Sequence, residues 1–204
     1  IRAHEEKDHA SFYLYVPKKH VKGRILVAVH GISRNAKEIV ERFQEQADRT
    51  GTILVVPYFK HSLFRDYQRL GREGKGERAD LALIHILAGA GKQLGMKIGK
   101  IFMYGNSGGA QFVHRFVMAH PDRVEKYAIS AAGWYTPPDV SKTFPYGFKA
   151  TTELEGVEFD IDRFLRVPAC VLVGDKDNIQ DPALNTSPRI TNVQGRNRLE
   201  RAKW

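Results

Sequence analysis

The stretch that most constrains this chain is Lys100-Ile101-Phe102-Met103-Tyr104-Gly105-Asn106-Ser107-Gly108-Gly109, an apolar run ending in G-x-S-x-G that leads into helix-like sequence through His120-Pro121. A strand followed at once by a helix leaves only a tight turn between them, and the neighbours of that turn must be small. Gly105 and Gly109 supply the room. Ser107 is then held out at the end of the strand. A serine hydroxyl is a poor nucleophile, and such placement is what nucleophilic catalysis asks of it. The helix that begins after Ser107 directs free backbone N–H groups to the same point, so Gly108 can donate a hydrogen bond to a developing oxyanion.

Apolar runs and amphipathic stretches alternate around this turn. Ser11 to Val16, ending at Pro17, predicts an early edge strand. Ile25 to Val29 and Thr52 to Val56 are continuous apolar runs, as strands buried on both faces of a parallel sheet require. Between them, Ile39, Val40, Phe43 and Ala47 fall at helical spacing within Ala36 to Thr50, and Gly51 stops that helix. Residues 60–77 are polar and basic with Gly71, Gly74 and Gly76, which predicts a long loop beside the site or a mobile crossing segment. Arg78 to Leu94 predicts a helix with Leu81, Leu83, Ile84, Ile86 and Leu87 as its apolar side. Tyr127 to Ala131 and Ala169 to Val173 predict two further strands, with Cys170 a small core residue of the second. Thr136 to Phe164 has no sustained period and reads as an insertion or cap-like segment above the sheet. This order implies one α/β domain over 1–204, a mostly parallel sheet with helices on both faces, and ligands beyond the carboxyl ends of the strands.

Composition narrows the function classes. Lys and Arg number 32 against 23 acidic residues, a formal charge of +9. They are spread along the chain, with Lys18-Lys19, Arg69 to Arg78 and Arg196 to Lys203 the local concentrations, and no nucleic-acid motif accompanies them. A solvated basic surface is the expectation, with no nucleic-acid partner. No apolar run approaches the roughly 18 residues of a membrane span. A single cysteine excludes an intramolecular disulfide. The first residues are polar and include no initiator Met, so they say nothing of destination.

The chain resembles the α/β-hydrolase superfamily at three places in that family's order, over about residues 10 to 178. Gly105-Asn106-Ser107-Gly108-Gly109 matches its nucleophile elbow, Val27-Ala28-Val29-His30-Gly31-Ile32 its oxyanion strand end, and Val171-Leu172-Val173-Gly174-Asp175-Lys176-Asp177 its G-x-x-D acid turn. His30-Gly31, then Val56-Pro57, then Gly-Asn-Ser-Gly-Gly-Ala with a following His120-Pro121-Asp122 is most similar to the polyhydroxybutyrate depolymerase and feruloyl esterase branch. The resemblance implies a metal-free, cofactor-free serine esterase acting on a small-molecule or polymeric ester. Ser107 would be its nucleophile, Asp177 its acid and the N–H groups of Gly108 and Ile32 its oxyanion donors. Asp177 fits the G-x-x-D spacing better than Asp175. His30 is expected beside the substrate, shaping the oxyanion loop through hydrogen bonds rather than carrying protons. Tyr58, Trp134 and Tyr135 either line an acyl or aromatic pocket or serve simple packing. A peptidase or thioesterase could use the same parts, and a catalytically silent binding protein could keep the fold.

The template also needs a histidine after the acid, and this sequence has none after His120. His30 and His61 alone come from loops on the correct sheet edge. Gly195 to Trp204 reads as a helix without a terminating cap, which leads to the expectation of a chain cut short before a further helix, strand and histidine loop. An open space between Ser107 and Asp177 is the structural consequence.

Overall fold

A computed structural model describes residues 2–5 and 11–204, with side chains from residue 11 onward. Among the described residues, seven strands form one sheet: β1 (Arg2–Glu5), β2 (Ser11–Tyr15), β3 (Ile25–Val29), β4 (Ile53–Tyr58), β5 (Ile101–Asn106), β6 (Val124–Ser130) and β7 (Ala169–Leu172). Their order is β1-β2-β4-β3-β5-β6-β7. The first two pairings, β1 with β2 and β2 with β4, are antiparallel, and all the rest are parallel.

Two helical layers cover this sheet. Along β3, Val27 and Val29 enter the main core while Ala28 faces a smaller cluster made with Ala36, Ile39 and Val40 of α1 (Ala36–Thr50). That alternation is the period of two that sends successive side chains to opposite faces. The main core lies under α2 (Ala79–Leu94) and α3 (Gly108–Ala119). Phe112 and Phe116 of α3 are fully buried there, each contributing about 1.5–3 kcal/mol of apolar transfer. α3 is buried from Gly108 to Met118, so it is a central helix with almost no solvated side. Segment 136–164 is joined to the same core through Phe144, Phe148, Leu154, Val157 and Phe164, and carries the short α4 (Ile161–Leu165). Two short helices, α5 (Pro188–Gln194) and α6 (Arg198–Lys203), end the chain.

The structure corrects several sequence expectations. β2 is not an edge strand, because Arg2–Glu5 pairs along its outer side; that stretch, RAHE, carries no apolar alternation that could have announced it. Cys170 is exposed rather than a core residue, as is all of β7, which stands at the sheet's end with no described helix across it. In α2, Leu81 is exposed while Ala79, Ala82, Leu83, Ile86, Leu87 and Ala90 are buried, since residues 81 and 83 cannot share a narrow helical stripe. The helix expected over 195–204 is α6, shorter than expected because it begins at Arg198; Gly195, whose φ of +99° and contact with the Glu200 side chain leave no space for a Cβ, separates it from α5.

Residues 60–77 take the first of their two expected forms, a loop packed beside the site. Phe64, Tyr67 and Leu70 anchor it in the core. Asp66, 5% exposed, accepts from Arg69 (2.6 Å) and Arg72 (2.9 Å), and its backbone carbonyl accepts from Gly71. The N–H of Glu77 returns to the carbonyl of Leu63.

Candidate active site

β5 delivers Ser107 to the carboxyl edge of the sheet in a backbone conformation that an L-residue seldom adopts, φ 53° and ψ −112°. The surrounding packing holds it there. A Cβ on Gly105 would overlap the backbone of Gly109, and one on Gly109 would overlap the carbonyls of Val29 and His30. Strain of this kind persists only where the neighbours over-determine it. The Ser107 N–H donates to Ser130 O (2.8 Å), tying the turn to β6.

The turn opens into a cleft of about 240 Å³ whose walls include Ile32, Gln68, Arg69, Gln111, Trp134 and Arg198. Ile32, in its wall, and Gly108 approach each other closely: a Cβ on Gly108 would lie 2.9 Å from Ile32 Cγ2 and 2.6 Å from the Tyr67 hydroxyl. Their backbone N–H groups have no hydrogen-bond partner among the described residues. No side chain among the described residues hydrogen-bonds the Ser107 hydroxyl.

The other side chains expected at the site are placed as follows. Asp177 sits after β7 in a turn closed by its N–H to Gly174 O (3.1 Å); it is half-buried, whereas Asp175 is exposed. Arg198 of α6 donates to Asp177 Oδ1 (3.5 Å) and to Asp181 Oδ2 (2.6 Å) while lining the Ser107 cleft. The expected open space between Ser107 and Asp177 is therefore corrected: a guanidinium reaches Asp177 from the cleft. Trp134 lines the cleft. Tyr58 does not; it packs edge-on to His30 and against the α1 cluster. Tyr135 is buried beside His114, with its backbone bonded to the Gln194 amide on both sides. Both tyrosines serve packing.

His30 is wholly buried and does not line the cleft, which corrects its expected place beside the substrate. Its Nε2 accepts from the Phe59 N–H (3.0 Å), which puts the ring proton on Nδ1, the atom facing Gly31 O (2.9 Å). Burial pushes its pKa down to about 4. His114 is likewise buried against Thr136, and His120 Nε2 donates to Asp80 Oδ2 (2.9 Å). His61 is exposed and lies outside the cleft wall. His4 and His9 fall outside the described side chains.

Behind the cleft lies Arg115, fully buried. Its Nε donates to Thr136 Oγ1 (2.9 Å), its Nη1 to Gln68 O (2.8 Å), and its guanidinium stacks on Trp134 at 4.1 Å. Three cleft walls, from the 60–77 loop, α3 and the segment after β6, meet on this one cation. Sequence reading missed Gln68, Arg69, Gln111, Arg115 and Arg198. Of these, Gln111 carried a signal, being one helical turn after Ser107 on the same face. Among the described residues no three His, Cys, Asp or Glu side chains converge as a metal site.

No protein-family model matches the chain, and no curated protein does. Solved structures do. Poly(aspartic acid) hydrolase-1 from Sphingomonas sp. KT-1 superposes with a TM-score of 0.80 at 29% identity, over 95% of this chain and 77% of that one. LpqC, a poly(3-hydroxybutyrate) depolymerase from Bordetella parapertussis, does so with a TM-score of 0.77 at 26% identity, over 95% and 69%. FphF, a fluorophosphonate-binding serine hydrolase of Staphylococcus aureus, shares the fold at 15% identity, with a TM-score of 0.57 over 86% and 78%. By its sheet order and these likenesses the chain has the α/β-hydrolase fold, and its structural neighbours are hydrolases of the esterase and depolymerase kind.

Proposed function

We propose that the chain is a serine hydrolase of acyl bonds, carboxylic esters first among them, working through an acyl-enzyme. The observation that carries this reading is Ser107 at φ 53° on a turn whose two glycines admit no side chain, with its hydroxyl facing a cleft. In that role Ser107 Oγ attacks the carbonyl carbon, and the N–H groups of Ile32 and Gly108 receive the oxyanion. The C–O bond to the alcohol then breaks, the alcohol leaves with the serine's proton, and water releases the acid. Asp177 would orient the histidine that carries this proton. Arg198 cannot be that carrier, because a guanidinium stays protonated; the histidine would come from outside the described side chains.

Poly(aspartic acid) hydrolase-1 and the LpqC depolymerase, similar to this chain at 29% and 26% identity, support acyl-bond hydrolysis here, with a polymeric substrate as the natural extension. A second reading, a silent binding protein on this fold, draws on one observation: Arg198 occupies Asp177 where the histidine would bond. A fluorophosphonate probe separates the two. An activated Ser107 is labelled and Ser107→Ala is not, with loss of nitrophenyl-ester turnover on the order of 10⁴-fold. Absence of labelling in a folded protein would favour the binding reading.

A further inference from the structure

A second groove, of about 650 Å³, adjoins the Ser107 cleft, and Arg69 lines both. Its wall holds Arg65, Arg69, Arg72 and Lys75 against one acid, Asp66. We propose that groove and cleft form one binding track for a polyanionic chain bearing carboxylates at intervals, laid across Arg65, Lys75 and Arg69 so that an acyl bond reaches Ser107. The proposal rests on the reading of Ser107 only for where the chain is cut.

The track is built rather than a chance of surface charge. Asp66 is buried and spends both carboxylate oxygens on Arg69 and Arg72, so its charge orients two guanidiniums instead of facing the groove. Glu153 caps Arg72 from outside (3.0 Å). Arg65 and Lys75 are exposed and have no acidic partner among the described residues. Glu73 and Glu77 belong to the same loop but do not line the groove. The loop is pinned as well: Gly76, at φ +121°, could not carry a Cβ without meeting Leu63 O at 2.8 Å. Groups already held in position lose less freedom on binding.

At the cleft end, Arg115 lies beneath the wall with only neutral acceptors against it, and its Nη2 has no partner. Its charge is compensated by no carboxylate in contact and adds to the positive field at the cleft. The groove wall contains no aromatic side chain. That absence argues for carboxylates over single-stranded nucleic acid, whose sequence-tolerant binding uses stacking platforms.

The test is fluorescence anisotropy of a fluorescein-labelled oligo(aspartic acid) of about ten residues, at about 20 mM and about 500 mM salt. Binding at low salt that weakens steeply at high salt is expected. Arg65→Glu with Lys75→Glu should weaken it by about tenfold or more, while the remote pair Lys37→Glu with Lys126→Glu leaves it unchanged. No binding at low salt, or equal loss in both double variants, overturns the proposal. So does a single-stranded oligodeoxynucleotide of equal charge that binds as tightly and loses as much in the Arg65/Lys75 variant. Fluorophosphonate labelling without oligoaspartate binding removes the track and leaves the hydrolase; binding without labelling removes the hydrolase and leaves the track.

Discussion

Arg115 shows how one residue can hold a site together without touching a reactant. A charge this deep would be costly if its donors were unmet, yet Thr136 Oγ1, Gln68 O and the Gln111 side chain take up most of them and the Trp134 face takes the rest of the contact. Burial lowers its pKa to about 9, so it remains charged at neutral pH. Arg115→Met keeps the volume but strands those acceptors in the interior. We expect a loss of about 2–4 kcal/mol in urea unfolding, from several buried groups left without donors. A loss below about 0.5 kcal/mol would mean that water enters and replaces the guanidinium.

Among the elements, β7 is the one whose environment departs most from its sequence. Ala169-Cys170-Val171-Leu172 is as apolar as β3, yet Val171 and Leu172 are each 46% exposed. The Cys170 thiol should accordingly react with a maleimide or with Ellman's reagent stoichiometrically in the native state, without denaturant. Protection to the level of a core thiol would show that its face is covered in solution. The same element explains what was legible in advance. Continuous apolar runs located β3, β4, β5 and β7, and the glycines at 51, 105 and 109 fixed a helix end and the serine turn, because each is a local steric requirement. What covers a strand is a property of distant chain, so the exposure of Cys170 and the interior place of β2 in the sheet were not readable. Neither were the cationic side chains at and behind the cleft. Arg69, Arg115 and Arg198 come from three elements far apart in sequence, and an arginine in a loop or helix carries no mark of what it will face. Tyr58 and Tyr135 illustrate the converse: aromatic residues at strand ends that turned inward to pack.

For the molecule as a whole, the two interior histidines set a direction for acid sensitivity. Burial holds both His30 and His114 at about 4, against 6.5 when free; the Arg34 charge adds to the effect at His30 and the Arg115 charge at His114. Between about pH 6.5 and 4 the unfolded chain binds protons that the folded one refuses. Stability should therefore fall as pH drops through that window, by up to about 1.4 kcal/mol per pH unit for each histidine. Urea midpoints at pH 7, 5.5 and 4.5 would measure the slope, and His114→Gln should flatten it by roughly half. A flat profile down to pH 4.5 would contradict the burial of these rings. The packing of Gly109 on the Val29 and His30 carbonyls has a consequence of another kind. The serine's conformation exists only once β3 and β5 are already side by side, so no partly assembled form of the chain can present it. A probe that recognises that conformation counts fully folded molecules, which makes the reactive residue a gauge of native population during refolding.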